Sequence, residues 1–200
     1  MFIQVITGTV ADPEGLERQV ERWQQELRPG AVGYLGTTAG ITDDGRVVVL
    51  ARFESEQAAR RNSQRTEQGN WWAETEKCLD SVAFAESVSV DTMLGGGNDK
   101  AGFVQVMRGR VKDPGRLETL GARKAEIEAV IGRARPDVLG DVMVVTGDGS
   151  YIEAVYFSSE AEARRAEAVA LPEDMATLMA DFDAAVAIEE YLDLRNPWLH

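Results

Sequence analysis

Residues 2–17 read FIQVITGTVADPEGLE, and residues 103–118 read FVQVMRGRVKDPGRLE. Phe2, Gln4, Val5, Gly8, Val10, Asp12, Pro13, Leu16 and Glu17 are matched by Phe103, Gln105, Val106, Gly109, Val111, Asp113, Pro114, Leu117 and Glu118. Self-similarity at a fixed separation marks an internal duplication. It divides the chain of 200 residues into two halves, 1–94 and 103–200. Residues 95–102, rich in Gly and polar side chains, read as a linker. A phosphate loop would need a helix directly after its glycines, whereas a strand pattern follows Gly95-Gly96-Gly97.

Each copy is a strand running into a helix. Asp12 and Asp113 are suited to cap that helix, because a carboxylate accepts from an orphan N–H of the first turn. Pro13 and Pro114 suit the next position, where no N–H is required. Leu16, Val20, Trp23 and Leu27 then recur at helical spacing and predict one buried stripe. Further along, Gly33–Thr42 and Arg46–Phe53 predict a hairpin around Asp43-Asp44-Gly45. A helical region follows from Ser55, broken near Gly69-Asn70, and then a strand over Phe84–Asp91. The second half repeats the order with strands at Val138–Thr146, Ser150–Phe157 and Val186–Leu194, a helical region from Ser159 broken at Leu171-Pro172, and a short tail from Arg195.

Each half is therefore β-α-β-β-α-β, the ferredoxin-like arrangement, in an α+β protein. The first strands carry apolar residues at both parities, so both faces of each sheet call for burial. Packing the two antiparallel sheets face to face satisfies that demand within one chain.

Net charge is −13, which opposes nucleic acid and anionic lipid as partners. No apolar run reaches the roughly 18 residues of a membrane span, and no leader pattern opens the chain. The single cysteine, Cys78, fits a reducing, cytoplasmic setting. No metal-ligand spacing is present, and a Ser-His-Asp set is excluded because the lone histidine is His200.

The twin pattern, the FIQVITGTVADPEGLE strand-to-helix stretch, the apolar strand ending in RFES and the interrupted helix with Trp71-Trp72 resemble the dimeric α/β-barrel superfamily. The likeness is strongest to its antibiotic-biosynthesis-monooxygenase (ABM) type, here as a tandem fusion forming an intramolecular barrel. The resemblance implies a pocket between sheet and helices in each half. It also implies cofactor-independent monooxygenation, or a related isomerisation, of a small hydrophobic, aromatic or quinone-like molecule. Non-catalytic small-molecule binding or a stress-related role is the alternative, and haem binding a further one. The family's oxygenases use an Asn on the first strand and a Trp in the second helical region. The Asn position falls near Ile6 and Met107, while Trp71 or Trp72 supplies the Trp. The haem degraders' His would fall at Asp80 or Ser81, so that ligand is missing. Fusion is compatible with a monomer, and with further dimerisation.

The candidate site in the first half is Asn70, Trp71, Trp72, Gln4, Tyr34 and Arg52. The indoles would wall an aromatic pocket, or else pack as core. In the second half the candidates are Gln105, Tyr151 and Tyr156. Gln4 and Gln105 are buried amides that must bond either within the fold or to a ligand.

Overall fold

The computed structural model describes residues 1–200. The chain forms two compact units, one of Met1–Ser87 with Trp198–His200 and one of Val88–Pro197.

The first unit opens with strand β1 (Phe2–Val10) and helix α1 (Pro13–Arg22), which continues through a π turn at Trp23–Leu27 and a 3-10 turn at Arg28–Gly30. The Asp12 carboxylate accepts from the Gly15 N–H at 2.9 Å, the expected cap. Strands β2 (Tyr34–Ile41) and β3 (Arg46–Phe53) form the hairpin, and helices α2 (Glu56–Ser63) and α3 (Thr66–Thr75) follow. The helix break lies at Gln64-Arg65, not at Gly69-Asn70, which sit inside α3. Arg65 explains the shift: its guanidinium donates to the Leu27 carbonyl and to Asn62 Oδ1, each at 3.0 Å, and fixes the corner there. Strand β4 (Leu79–Met93) is much longer than the expected 84–91, and the boundary between units falls within it. In this unit the sheet order is β4-β1-β3-β2-β9, where β9 is Trp198–Leu199. The segment expected as a tail thus forms a strand, pairing Leu199 with Thr38 and Trp198 with Ala39.

The second unit contains β5 (Phe103–Val111), α4 (Pro114–Ala122), α5 (Lys124–Ala134), β6 (Val138–Thr146), β7 (Ser150–Phe157), α6 (Glu160–Glu167), α7 (Glu173–Ala185) and β8 (Val186–Leu194). Asp113 and Ser159 cap α4 and α6 as Asp12 and Ser55 cap α1 and α2. The first helix of this half is broken at Arg123, whose side chain binds Glu126 and Asp181. Strand order is β8-β5-β7-β6, with the end of β4 beside β6.

The repeated glycine has a steric cause. A Cβ at Gly8 would lie 2.1 Å from the Ser81 carbonyl oxygen, and one at Gly109 would lie 1.8 Å from that of Ala187. Both glycines sit where the first strand of a repeat pairs with the early part of its last strand, close to a one-residue slip that falls between Thr9 and Val10 in the first repeat and between Arg108 and Gly109 in the second. No helix is long and apolar enough to cross a membrane.

Candidate functional site

Strand register places the side chains of the second unit on a grid. Asp141 of β6 is opposite Val155 of β7, Met143 opposite Glu153, and Val145 opposite Tyr151. On the other side of β7, Gln105 is opposite Val155 and Met107 opposite Glu153. Successive side chains alternate between faces, so Gln105, Met107, Asp141, Met143, Tyr151, Glu153 and Val155 share one face. They floor a cavity of about 1190 Å³. Leu117 and Leu120 from α4, Ile127 and Ile131 from α5, and Met175, Leu178 and Phe182 from α7 wall it. Ligand pockets commonly span about 300–1,000 Å³ and are mostly apolar with a few placed polar groups. This one has that character and is somewhat larger.

Three of the polar groups on the floor, Asp141, Tyr151 and Glu153, lie next to one another. Asp141 and Glu153 are both buried and are diagonal neighbours on this face, Asp141 opposite Val155 and Glu153 opposite Met143. The Tyr151 hydroxyl donates to Glu153 Oε2 at 2.8 Å, and the Tyr151 ring stacks edge-on against Phe182. Asp141 Oδ1 is buried without a hydrogen-bond partner. Burial, and then the neighbouring Glu153 carboxyl, push Asp141 well above the usual carboxylate range. Asp91 adds to the rise and Lys124 opposes it. Burial also raises Glu153, held back by the hydrogen bonds of Asp141 and Tyr151. A dry site and an acidic neighbour both disfavour the ionised form of a carboxyl. The Tyr151 phenol is driven far upward, mostly by burial and then by Glu153 and Asp141, so it remains a donor.

The cations that line the cavity are already engaged. Arg135 binds Asp137 through two hydrogen bonds of 3.0 and 2.7 Å. Arg164 pairs with Glu167 and Asp193 and lies over the Phe103 ring. Gln105 Nε2 donates to Asp193 Oδ1 at 2.9 Å, so this amide both lines the cavity and is bonded within the fold.

Among the second-half candidates, Gln105 and Tyr151 line the cavity and Tyr156 does not. Tyr156 lies an odd number of residues from Tyr151 on the same strand, so it faces the other side, fully buried. Sequence reasoning passed over Asp141 and Glu153. Their signal was available: each is a lone acid inside an otherwise apolar strand, in VLGDVMVVT and SYIEAVYF.

The first-half candidates come together only in part. Trp71 meets Trp23 and Trp72 with ring centroids at 6.5 and 6.0 Å, and Trp23 meets Tyr34 at 4.8 Å. The Trp71 indole N–H donates to the Gln19 carbonyl at 2.8 Å, and the Tyr34 hydroxyl donates to Thr37 Oγ1 at 2.6 Å. These polar tips are spent within the fold. Asn70 is exposed on α3 and is not part of the aromatic cluster. Arg52 alternates to the face of β3 opposite Phe53, where it donates to Thr38 Oγ1 and to the His200 carbonyl. Gln4 is half-buried between Ala51 and Glu86. No three His, Cys, Asp or Glu side chains converge in a way that could hold a metal ion.

No protein-family model matches the chain, and no curated protein sequence does. Solved structures do. The chain is similar to a protein described as a candidate monooxygenase from Lactobacillus acidophilus NCFM, with 12% identity, 100% of this chain and 98% of that chain covered, and a TM-score of 0.74. A second so described, from Fusobacterium nucleatum subsp. nucleatum, matches with 10% identity over 100% and 93% of the two chains and a TM-score of 0.73. An anthrone oxidase-like protein matches with 14% identity over 99% and 90%, at a TM-score of 0.67. At such identities the likeness establishes the fold. It is the α+β fold of two ferredoxin-like repeats expected from the sequence, with both repeats in one chain.

Proposed function

We propose that the cavity of the second unit binds a small, largely apolar aromatic or quinone-like molecule. We further propose that the protein turns it over as an ABM-type monooxygenase or related isomerase without a cofactor. The observation that carries this reading is the cavity itself: about 1190 Å³, walled by Leu, Ile, Met and Phe, with a few polar groups on its floor. The names of the structural neighbours support the reaction class. The sequence offers candidates in both halves, with the paired indoles in the first. The second half supports the reading better, because the first-half aromatics pack on one another.

Oxygen uptake with anthrone- and quinol-type compounds tests the oxygenase form, alongside a thermal-shift screen of the same panel. A ligand present at 100 times its Kd stabilises by about 2.7 kcal/mol, a readily measured shift. Stabilisation with oxygen consumption supports the reading. Stabilisation without turnover of any compound supports non-catalytic binding, which Ile6 and Met107 at the family's Asn position also favour. No stabilisation across the panel removes both.

A further inference from the structure

Asp141, Glu153 and Tyr151 belong to one repeat only. In the first unit the same register pairs Thr37 with Ala51, Ala39 with Val49 and Ile41 with Val47. In the second it pairs Asp141 with Val155, Met143 with Glu153 and Val145 with Tyr151. Both hairpins slip register at the same place, before Gly36 and before Gly140. The first-unit equivalents of Asp141, Glu153 and Tyr151 are therefore Thr37, Val49 and Val47. The fold is built without acids at these positions, so architecture does not demand them. Burying two adjacent carboxyls costs stability, and a buried oxygen without a partner adds to that cost. A feature that is expensive, dispensable to the fold and located on a cavity floor is expected where function sets the residues.

We propose that Asp141 and Glu153, neighbouring buried carboxyls on the cavity floor, act together to move a proton on a neutral ring ketone bound in the cavity, with Tyr151 as a positioning residue. The inference rests on the reading that this cavity is the binding site. Glu153, whose carboxyl accepts from the Tyr151 hydroxyl, takes the proton from the carbon beside the carbonyl. The C–H bond breaks, its electron pair becomes the new C=C bond, and the carbonyl π pair moves onto oxygen. Asp141, the acid of the pair, hydrogen bonds to that oxygen and delivers its proton there, giving the enol. Glu153 has gained one proton and Asp141 has lost one, and the pair as a whole again holds one. Return of a proton to the same carbon or to a conjugated one gives back the ketone or its isomer, and no oxidant or reductant is consumed. With Asp91 also lining the cavity, an anionic substrate is disfavoured relative to a neutral one.

The test is exchange of substrate C–H for deuterium, followed by NMR in anaerobic D2O with 2-tetralone and anthrone as probes. Binding of each probe is measured in parallel by thermal shift. Anaerobic exchange isolates proton transfer from any reaction with oxygen. The wild-type protein is expected to accelerate exchange, and Glu153→Gln and Asp141→Asn to lower the acceleration by about 100-fold or more. Both variants should still be stabilised by the ketone. Glu153→Val, which installs the first-repeat residue, guards against a variant that fails to fold. Exchange that is unchanged in Glu153→Gln, or absent while the ketone binds to wild type, overturns the proton-transfer proposal and leaves the binding site standing. Failure of wild type to bind either ketone overturns this proposal, and failure of the wider aromatic panel removes the binding site with it.

Discussion

The Tyr151 hydroxyl donates to the Glu153 carboxyl at 2.8 Å, from a position two residues away on the same face of β7. The bond favours the ionised form of Glu153 and holds back the rise that burial imposes. Tyr151→Phe removes the donor and leaves the ring stacked on Phe182. The Glu153 carboxyl then titrates at higher pH, and the pH profile of exchange should move to higher pH. A profile that keeps its position while the rate falls would mean that Tyr151 acts through packing alone.

The carboxyl pair also sets how stability depends on pH. In the unfolded chain both groups titrate near the ordinary values of about 3.9 and 4.3. In the folded protein both are raised. Between those ranges the folded state holds more protons than the unfolded state, so stability falls as pH rises through the raised values. Asp148 works in the opposite sense. Thr146 and Ser150 hold it down to about 2, so its contribution is lost only in strong acid. Wild type should therefore melt at a higher temperature near pH 5 than near pH 8. The double variant Asp141→Thr with Glu153→Val should flatten that slope and gain about 1–3 kcal/mol at pH 8. Equal slopes in the two proteins would show that the pair does not hold the extra proton.

Trp71 precedes Leu79 by the same number of residues as Leu178 precedes Val186, and Leu79 and Val186 hold equivalent places against their first strands. The first repeat thus places an indole where the second has a leucine lining the cavity. Leu178→Trp should narrow the cavity and weaken ligand binding at least tenfold. It should cost no more than about 1–3 kcal/mol of stability, the usual range for a larger core side chain. Calorimetric titration and thermal melting check the two effects separately.

Trp198 packs beside Leu16, Val47 and Cys78. Trp198→Ala should cost about 3 kcal/mol, the lower end for a large aromatic because the ring is only half-buried. Cys78 reports on it directly. Its thiol is buried and is raised by burial and by Asp12, so it should react slowly with a disulfide reagent in wild type and faster in the variant.

What was legible beforehand follows from how local each signal is. The βαββαβ order, the caps at Asp12 and Asp113 and the turn at Gly149 depend on neighbouring residues and were readable. The break at Gln64-Arg65 depends on Arg65 reaching Leu27, and the strand at Trp198 depends on an unpaired edge of β2. Neither contact leaves a mark in the local pattern. Trp71 and Trp72 are conspicuous as aromatics, and in the structure Trp71 meets both Trp72 and Trp23. Asp141 and Glu153 lie on different strands, and only the hairpin register makes them neighbours.

Tandem fusion carries a consequence for how such a protein can change. When one gene encodes a single repeat and two copies associate, every substitution is made twice, and an acid that burdens folding burdens both copies. Once the copies share a chain, one can keep Thr37, Val47 and Val49 and act as the stable partner. The other is then free to take on Asp141, Tyr151 and Glu153, a combination that a symmetric ancestor would have had to carry in duplicate.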